Sequence, residues 1–356
     1  MRIGIDARKI DDTGIGRYIE NLARALPRID ARNEYVLFLP PGRELDDSYP
    51  KGRLTTVVET ARNYSLAEHW SLPLKARALA LDLYHAPHYV LPLLLSRRCV
   101  VTVHDIIHLR EPSFGAAARA YARFMIGSAA RRAERVITVS GHTKRELVEV
   151  IGAAEKKITV IPPGGGDDFA RPGEAALQSA LAALGIQPGY FLFVGSDRPH
   201  KNLKAVAGVM RAAPDARFVV AGRARDPSRA MFAGMENRVM FIGQVDKPAL
   251  AALYSGAAAL LFPSYHEGFG LPPLEAMACG TPVVASNRAP IPEVTGGAAL
   301  LLDPDDHTGM ARALVPLRDD AAARAAMVEK GIARARLFSW EEMARRTLAV
   351  YEEAGA

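Results

Sequence analysis

Phe262-Pro-Ser-Tyr-His-Glu267-Gly-Phe-Gly-Leu-Pro272-Pro-Leu-Glu275-Ala-Met-Ala-Cys-Gly280-Thr-Pro-Val-Val-Ala-Ser286 is the stretch whose reading decides the fold. Residues 257–262 lead into it as a short apolar run of strand length, and Val283-Val284-Ala285 form another after it. Pro272 and Pro273 suit the first turn of a helix, where an N–H has no partner to lose. Gly280, with Pro282 just beyond, suits the residue that closes that helix. The stretch therefore predicts strand, glycine loop, short helix, strand. Free N–H groups of such a loop and helix start favour an anion. Two carboxylates, Glu267 in the loop and Glu275 in the first helical turn, stand eight residues apart. A carboxylate only accepts hydrogen bonds, so a pair flanking a phosphate suits hydroxyl-rich groups such as ribose and hexose.

The bulk numbers set the frame. A chain of 356 residues predicts two domains, and 49% apolar with 24% charged residues gives ordinary globular material for two cores. Cys99 and Cys279 lack metal or redox spacing and read as buried, reduced thiols of a cytoplasmic protein. Residues 1–6 read as a first strand rather than a signal peptide. No apolar run approaches the ~18 residues of a membrane helix, so the sequon Asn63-Tyr-Ser65 reads as chance. A net charge of +6 suits an anionic partner, and no nucleic-acid motif accompanies it. P-loop, zinc-hydrolase and Gly-x-Ser-x-Gly signatures are absent.

Along the chain, 3–6 predicts a strand that leads into Gly14-Ile-Gly16-Arg17 and a helix through about Leu26, with Tyr18, Ile19, Leu22, Ala23 and Leu26 at helical spacing. The glycine turn is no dinucleotide fingerprint: Ile19 fills the third glycine position, and the turn follows the strand too late. Strands are expected at 35–39 and 54–59, and Leu81-Asp-Leu-Tyr-His85-Ala-Pro-His88 reads as a strand running into a loop that carries His85 and His88. Cys99-Val-Val-Thr-Val103 is a strand with His104-Asp105 directly after it, and ligands bind beyond the carboxyl ends of parallel strands. Asp105 would either cap the next helix or hold the imidazole in one tautomer. Residues 115–135 form a helix in which Tyr121, Phe124, Met125 and Ile126 alternate with arginines. That pattern suits either an anionic membrane leaflet or core packing with a solvated basic face. Pro162-Pro-Gly-Gly-Gly166 breaks the chain. Residues 190–194 open a second sheet, and Gly195-Ser196-Asp-Arg198-Pro-His-Lys201 after them offers an ammonium for a pyrophosphate. Further strands fall at 218–221, 239–242 and 298–302, and Asp303-Pro-Asp305 reads as turn chemistry rather than a metal site. Ser339 and Glu342 form a capping box for a terminal helix.

The Glu267/Glu275 spacing, with His266-Glu-Gly-Phe-Gly-Leu271 and Glu275-Ala-Met-Ala-Cys-Gly-Thr-Pro-Val-Val284, resembles the Glu-x7-Glu signature of retaining glycosyltransferases of family 4, which have the GT-B fold. Nearly the whole chain takes part, from Ile5-Asp-Ala-Arg8 to Ser339-Trp340. The resemblance implies an α/β chain of two Rossmann-like parallel-sheet domains facing across a cleft: an acceptor-side domain at 1–168, a nucleotide-sugar-binding domain at 169–337, and a helix at 338–356 returning to the first. It places Gly14 and Gly16 near donor phosphates and acceptor, and gives His104 and Glu267 to the donor sugar and Glu275 to the ribose. The loop Gly268, Phe269, Gly270, Leu271 and Lys201 would hold the pyrophosphate, and Gln244 and Val245 the base. The family's usual arginine after the first glycine is Ser196 here, which leaves Arg198 or Arg223 to supply a second cation.

The activity implied is a metal-independent, retaining transfer with no cofactor beyond the nucleotide-sugar donor. The acceptor would be a glycan or a polyprenol-linked saccharide. Gly-Ile-Gly-Arg-Tyr18 and Thr-Val-His-Asp105 resemble bacterial mannosyltransferases of surface polysaccharide synthesis, which favours GDP-mannose. The enzyme would be cytoplasmic or peripheral on the inner face of the membrane. A UDP-glucose or UDP-N-acetylhexosamine transferase, a GT-B nucleotide-sugar epimerase, a nicotinamide oxidoreductase and a non-catalytic sugar-nucleotide sensor are the alternatives.

Overall fold

The computed structural model describes residues 1–50 and 52–356. Two compact units emerge: Met1–Gly164 with Trp340–Ala356, and Gly165–Ser339. The first boundary thus precedes the one expected after Asp168. Gly166 N–H donates to Phe338 O (3.1 Å) and Lys247 pairs with Asp168 (2.9 Å), so this stretch is bonded into the second unit.

The first unit holds seven strands, β1 (Arg2–Asp6), β2 (Glu34–Leu39), β3 (Leu54–Val58), β4 (Leu83–Ala86), β5 (Arg98–Val103), β6 (Arg135–Thr138) and β7 (Ile158–Val160), all parallel in the order β3-β2-β1-β4-β5-β6-β7. The second holds β8 (Phe191–Val194), β9 (Phe218–Ala221), β10 (Val239–Gly243), β11 (Ala259–Phe262), β12 (Val283–Ser286) and β13 (Leu300–Leu302), parallel in the order β10-β9-β8-β11-β12-β13. Nearly every central strand residue is buried, as a parallel sheet covered on both faces requires. Each order reverses once, between β1 and β4 and between β8 and β11, and ligands bind at such switch points beyond the carboxyl ends.

The terminal helix Trp340–Gly355 belongs to the first core. Trp340, Met343, Val350 and Tyr351 pack with Ile3, Ile5, Tyr18 and Leu22. Arg346 donates to Val160 O (2.6 Å) and Arg135 pairs with Glu353 (3.0 Å).

Two local expectations are corrected. Gly14 and Gly16 do not form a turn before a helix; they are the first residues of the helix Gly14–Ile29. A Cβ on Gly16 would come within 2.3 Å of Ile10 O, so glycine there lets the helix start lie directly on the preceding loop. The helix Glu68–Ala78 has no counterpart in the sequence reading.

Candidate functional site

In the second unit the site begins at the switch point. The loop after β8 carries Lys201 and the loop after β11 carries Glu267, so the reversal of strand order makes them neighbours. Lys201 Nζ donates to both carboxylate oxygens of Glu267, at 2.7 and 2.9 Å. Two ties fix the pair from behind. Tyr265 N–H donates to His200 O (2.8 Å), and the buried Asn202 amide donates to Pro263 O (3.1 Å) and Pro304 O (2.9 Å). Asn202 closes the Lys201 turn at φ +57°, a conformation asparagine tolerates better than most residues. Sequence reasoning assigned it no role, because its carbonyl partners lie 61 and 102 residues away.

The glycine loop then enters the helix Leu271–Ala278, with Gly270 at φ +106° and prolines in its first turn. A Cβ on Gly270 would meet Ile291 Cδ1 at 2.7 Å, so glycine is required twice over. The helix closes as its sequence predicts: Gly280 N–H bonds Met277 O (3.0 Å) and Thr281 N–H bonds Ala276 O (2.9 Å), the two bonds of a Schellman end. Among the described residues no acceptor is bonded to the N–H groups of Gly268, Phe269, Gly270 or Leu271. These free donors stand next to an ammonium, and the arrangement suits a phosphate.

Glu275 is the fifth residue of that helix, one turn further in than expected from the sequence; it is buried and accepts from Tyr254 Oη at 2.7 Å. Tyr254 is a second residue the sequence reading missed; it is held by Phe169, with ring centroids 5.8 Å apart. Arg223 reaches Gln244 Oε1 at 3.3 Å on an exposed surface, which brings two of the expected donor residues together. Arg198 is exposed, while Ser196 and Val245 are partly buried. Asp303 and Asp305 form a turn: Asp305 N–H bonds Asp303 Oδ1 (3.0 Å), and Arg288 takes Asp303 Oδ2 (2.9 Å).

The first unit arranges its polar groups around its own switch point. Asp6, the last residue of β1, is fully buried between Arg8 (2.6 Å) and His88 (3.3 Å). Arg8 also bonds Glu68 (2.8 Å) and Ala61 O (3.1 Å). Val90 N–H donates to His88 Nδ1 (3.2 Å), so the ring's proton sits on Nε2, facing Asp6. His85 lies between Tyr351 Oη (2.6 Å) and Thr102 Oγ1 (2.8 Å), and burial pushes its imidazole down to about 3. Both histidines are therefore structural rather than open to a ligand.

His104 follows β5 as expected. Its Nε2 donates to Pro87 O (3.0 Å), and the Tyr18 ring stands edge-on at 4.9 Å. Burial lowers its pKa, so the neutral ring keeps Nδ1 as an unprotonated acceptor. Asp105 does not hold that tautomer. Its carboxylate accepts from Ile107 N–H (3.0 Å) and starts the next turn.

Two doubly wound parallel sheets define a GT-B architecture. Residues 13–165 match the family described as Glycosyltransferase Family 4, and residues 182–334 match Glycosyl transferases group 1. The chain belongs to these glycosyltransferases. It is 28% identical to O-antigen chain mannosyltransferase B of Escherichia coli, over 96% of each chain. It is 34% identical to O-antigen chain mannosyltransferase RfbU of Salmonella typhimurium, over 62% of this chain and 60% of that one. HepE of Anabaena, solved in complex with UDP and glucose, shares the fold with a TM-score of 0.78 at 19% identity, over 99% of each chain. Among the described residues no helix is long and apolar enough to cross a membrane.

Proposed function

We propose that this glycosyltransferase moves mannose from GDP-mannose, with retention and without a metal, to a hydroxyl of a glycan or lipid-linked saccharide in surface polysaccharide synthesis. The observation that carries the donor site is the Lys201–Glu267 pair beside four free amides. In this reading Lys201 and the loop amides take the diphosphate and stabilise the negative charge that grows on it as the bond from C1 to the leaving oxygen breaks. The acceptor oxygen forms the new bond to C1 on the same face, and its proton passes to the departing phosphate, so no side chain serves as general base. Glu267 accepts from hexose hydroxyls, His104 offers Nδ1 to a sugar hydroxyl, and Glu275 accepts from the ribose. Arg198 and Arg223 compete for the role of second phosphate cation, and Gln244 and Val245 take the base. The exposed Gly14 leaves backbone open to phosphate or acceptor, while Gly16, buried with its N–H on Asp12 O (3.0 Å), seats that helix start on the preceding loop.

A thermal-shift series with GDP, UDP, ADP and dTDP, with and without magnesium, tests this reading. A ligand at 100 times its Kd adds about 2.7 kcal/mol to the native state. Selective stabilisation by GDP without metal is the expected result, and no response to any nucleotide would remove the donor site. The complex of HepE with UDP and glucose supports a second reading, a UDP-sugar transferase or a GT-B epimerase. Selective stabilisation by UDP would favour it, and turnover without any acceptor would single out the epimerase. Within either reading Glu275→Ala weakens nucleotide binding at least about tenfold, since a hydrogen bond to a charged acceptor is worth ~1.5–3 kcal/mol. Unchanged affinity in calorimetry would take Glu275 out of the site.

A further inference from the structure

The helix Glu68–Ala78 lacks the polar outer face that a surface helix normally shows. Leu72 and Ala76 fill its inner side, yet Trp70 and Leu74 on its outward side are 65% and 67% exposed, and Leu66, in the turn just before the helix, is 83% exposed. The apolar surface continues onto neighbouring segments. Leu93 N–H bonds His69 Nδ1 (3.3 Å), which seats the loop with the exposed Leu94 beside this helix. Arg132 bonds Pro92 O (3.0 Å) and Leu95 O (3.1 Å), and the rings of Tyr64 and Tyr121 lie 6.5 Å apart. Those contacts bring in the helix Ala116–Arg132, whose Phe124 is 56% exposed.

The charges on this face have one sign. Arg62, Arg77, Arg97, Arg119 and Arg123 are exposed. The acidic residues of the 53–80 segment, Glu59 and Glu68, are turned inward and buried. At the rim, Asp12 is paired with Lys9 (2.9 Å). Exposed leucines and a tryptophan ringed by arginines match the boundary of an anionic bilayer, where aromatic rings sit at headgroup depth and cations meet lipid phosphates. A water-soluble partner of the same size would need acidic groups placed against each arginine; a leaflet supplies them everywhere.

We propose that this face, centred on Leu66, Trp70 and Leu74, docks on an anionic lipid surface. The basic helix expected from sequence over 115–135 is only one edge of it. The inference goes beyond the transfer chemistry, and its test needs neither donor nor acceptor, so either reading can fail without the other.

Trp70 and Trp340 are the only two tryptophans, and Trp340 is buried, so a change in emission on adding vesicles reports Trp70. The whole protein is titrated with phosphatidylcholine vesicles, with and without phosphatidylglycerol. A blue shift and co-sedimentation with the anionic vesicles, weakened by salt, are expected. Leu66→Glu/Leu74→Glu should lower partitioning at least about tenfold with an unchanged melting temperature, because both side chains project from the fold. No shift and no sedimentation would overturn the proposal, as would wild-type partitioning of the double variant. A dimer that the same substitutions dissolve, without vesicle binding, would replace it with self-association.

Discussion

Lys201→Ala is expected to turn over donor about 10²–10³-fold more slowly than the wild type, the usual loss when one preorganised charge-stabilising group is removed. The geometry makes the loss twofold in kind. In the free protein the ammonium is shared by both oxygens of Glu267, at 2.7 and 2.9 Å, so each group satisfies the other before any ligand arrives. An incoming diphosphate competes for Nζ and leaves the carboxylate to accept from sugar hydroxyls. Without Lys201 the diphosphate meets Glu267 uncompensated, and donor binding falls as well as turnover. Replacing both, Lys201→Ala/Glu267→Gln, should recover part of the donor affinity and none of the rate. The steady-state rate of nucleotide release and the affinity for nucleotide separate these effects. Normal turnover of Lys201→Ala would move the phosphate clamp to Arg198 or Arg223.

The donor block was legible because its determinants are local. Prolines at the helix start, Gly280 at its end and the flanking apolar runs each fix a conformation within a few residues, and the structure repeats them bond for bond. What the sequence concealed depends on distant partners or on a broken pattern. The burial of His85 is decided by Tyr351, 266 residues on, and nothing near His85 announces it. Asn202 acquires its role only when β8 and β11 lie side by side, and Tyr254 only when the helices Lys247–Gly256 and Leu271–Ala278 pack together. The start of the first helix was misplaced because two glycines at a helix N-terminus look like a turn, and only the approach of Ile10 O explains the second of them, Gly16. The helix Glu68–Ala78 escaped because residues at Trp70 and Leu74 blur the helical period and Pro73 interrupts it. That same departure from pattern marks the proposed docking face, as expected where function overrides the folding rule.

Arg8→Ala is expected to cost about 3–5 kcal/mol of stability, because it leaves buried carboxylates without their cation. Asp6 and Glu68 are both fully buried, and Arg8 bonds each of them, at 2.6 and 2.8 Å. Burial by itself pushes the Asp6 carboxyl up, but hydrogen bonds from Arg8 and His88 outweigh it and hold the group well below the usual carboxylate range. A depressed folded-state pKa gives stability that is present above the unfolded value of ~3.9 and is lost as the pH falls toward the folded one. Removing Arg8 leaves burial in command, raises the folded pKa of Asp6 and reverses the sign, so the variant loses stability as the pH rises. The gap between wild type and variant in urea unfolding should therefore be wider at ~pH 8 than at ~pH 5. An equal gap at both would show that Arg8 acts through packing alone. Because Arg8 also bonds Ala61 O and the first residue of the helix Glu68–Ala78, the loss should begin in the 59–78 segment. Faster hydrogen exchange there than in β1 would show the segment that carries Trp70 coming away from the sheet before the unit unfolds.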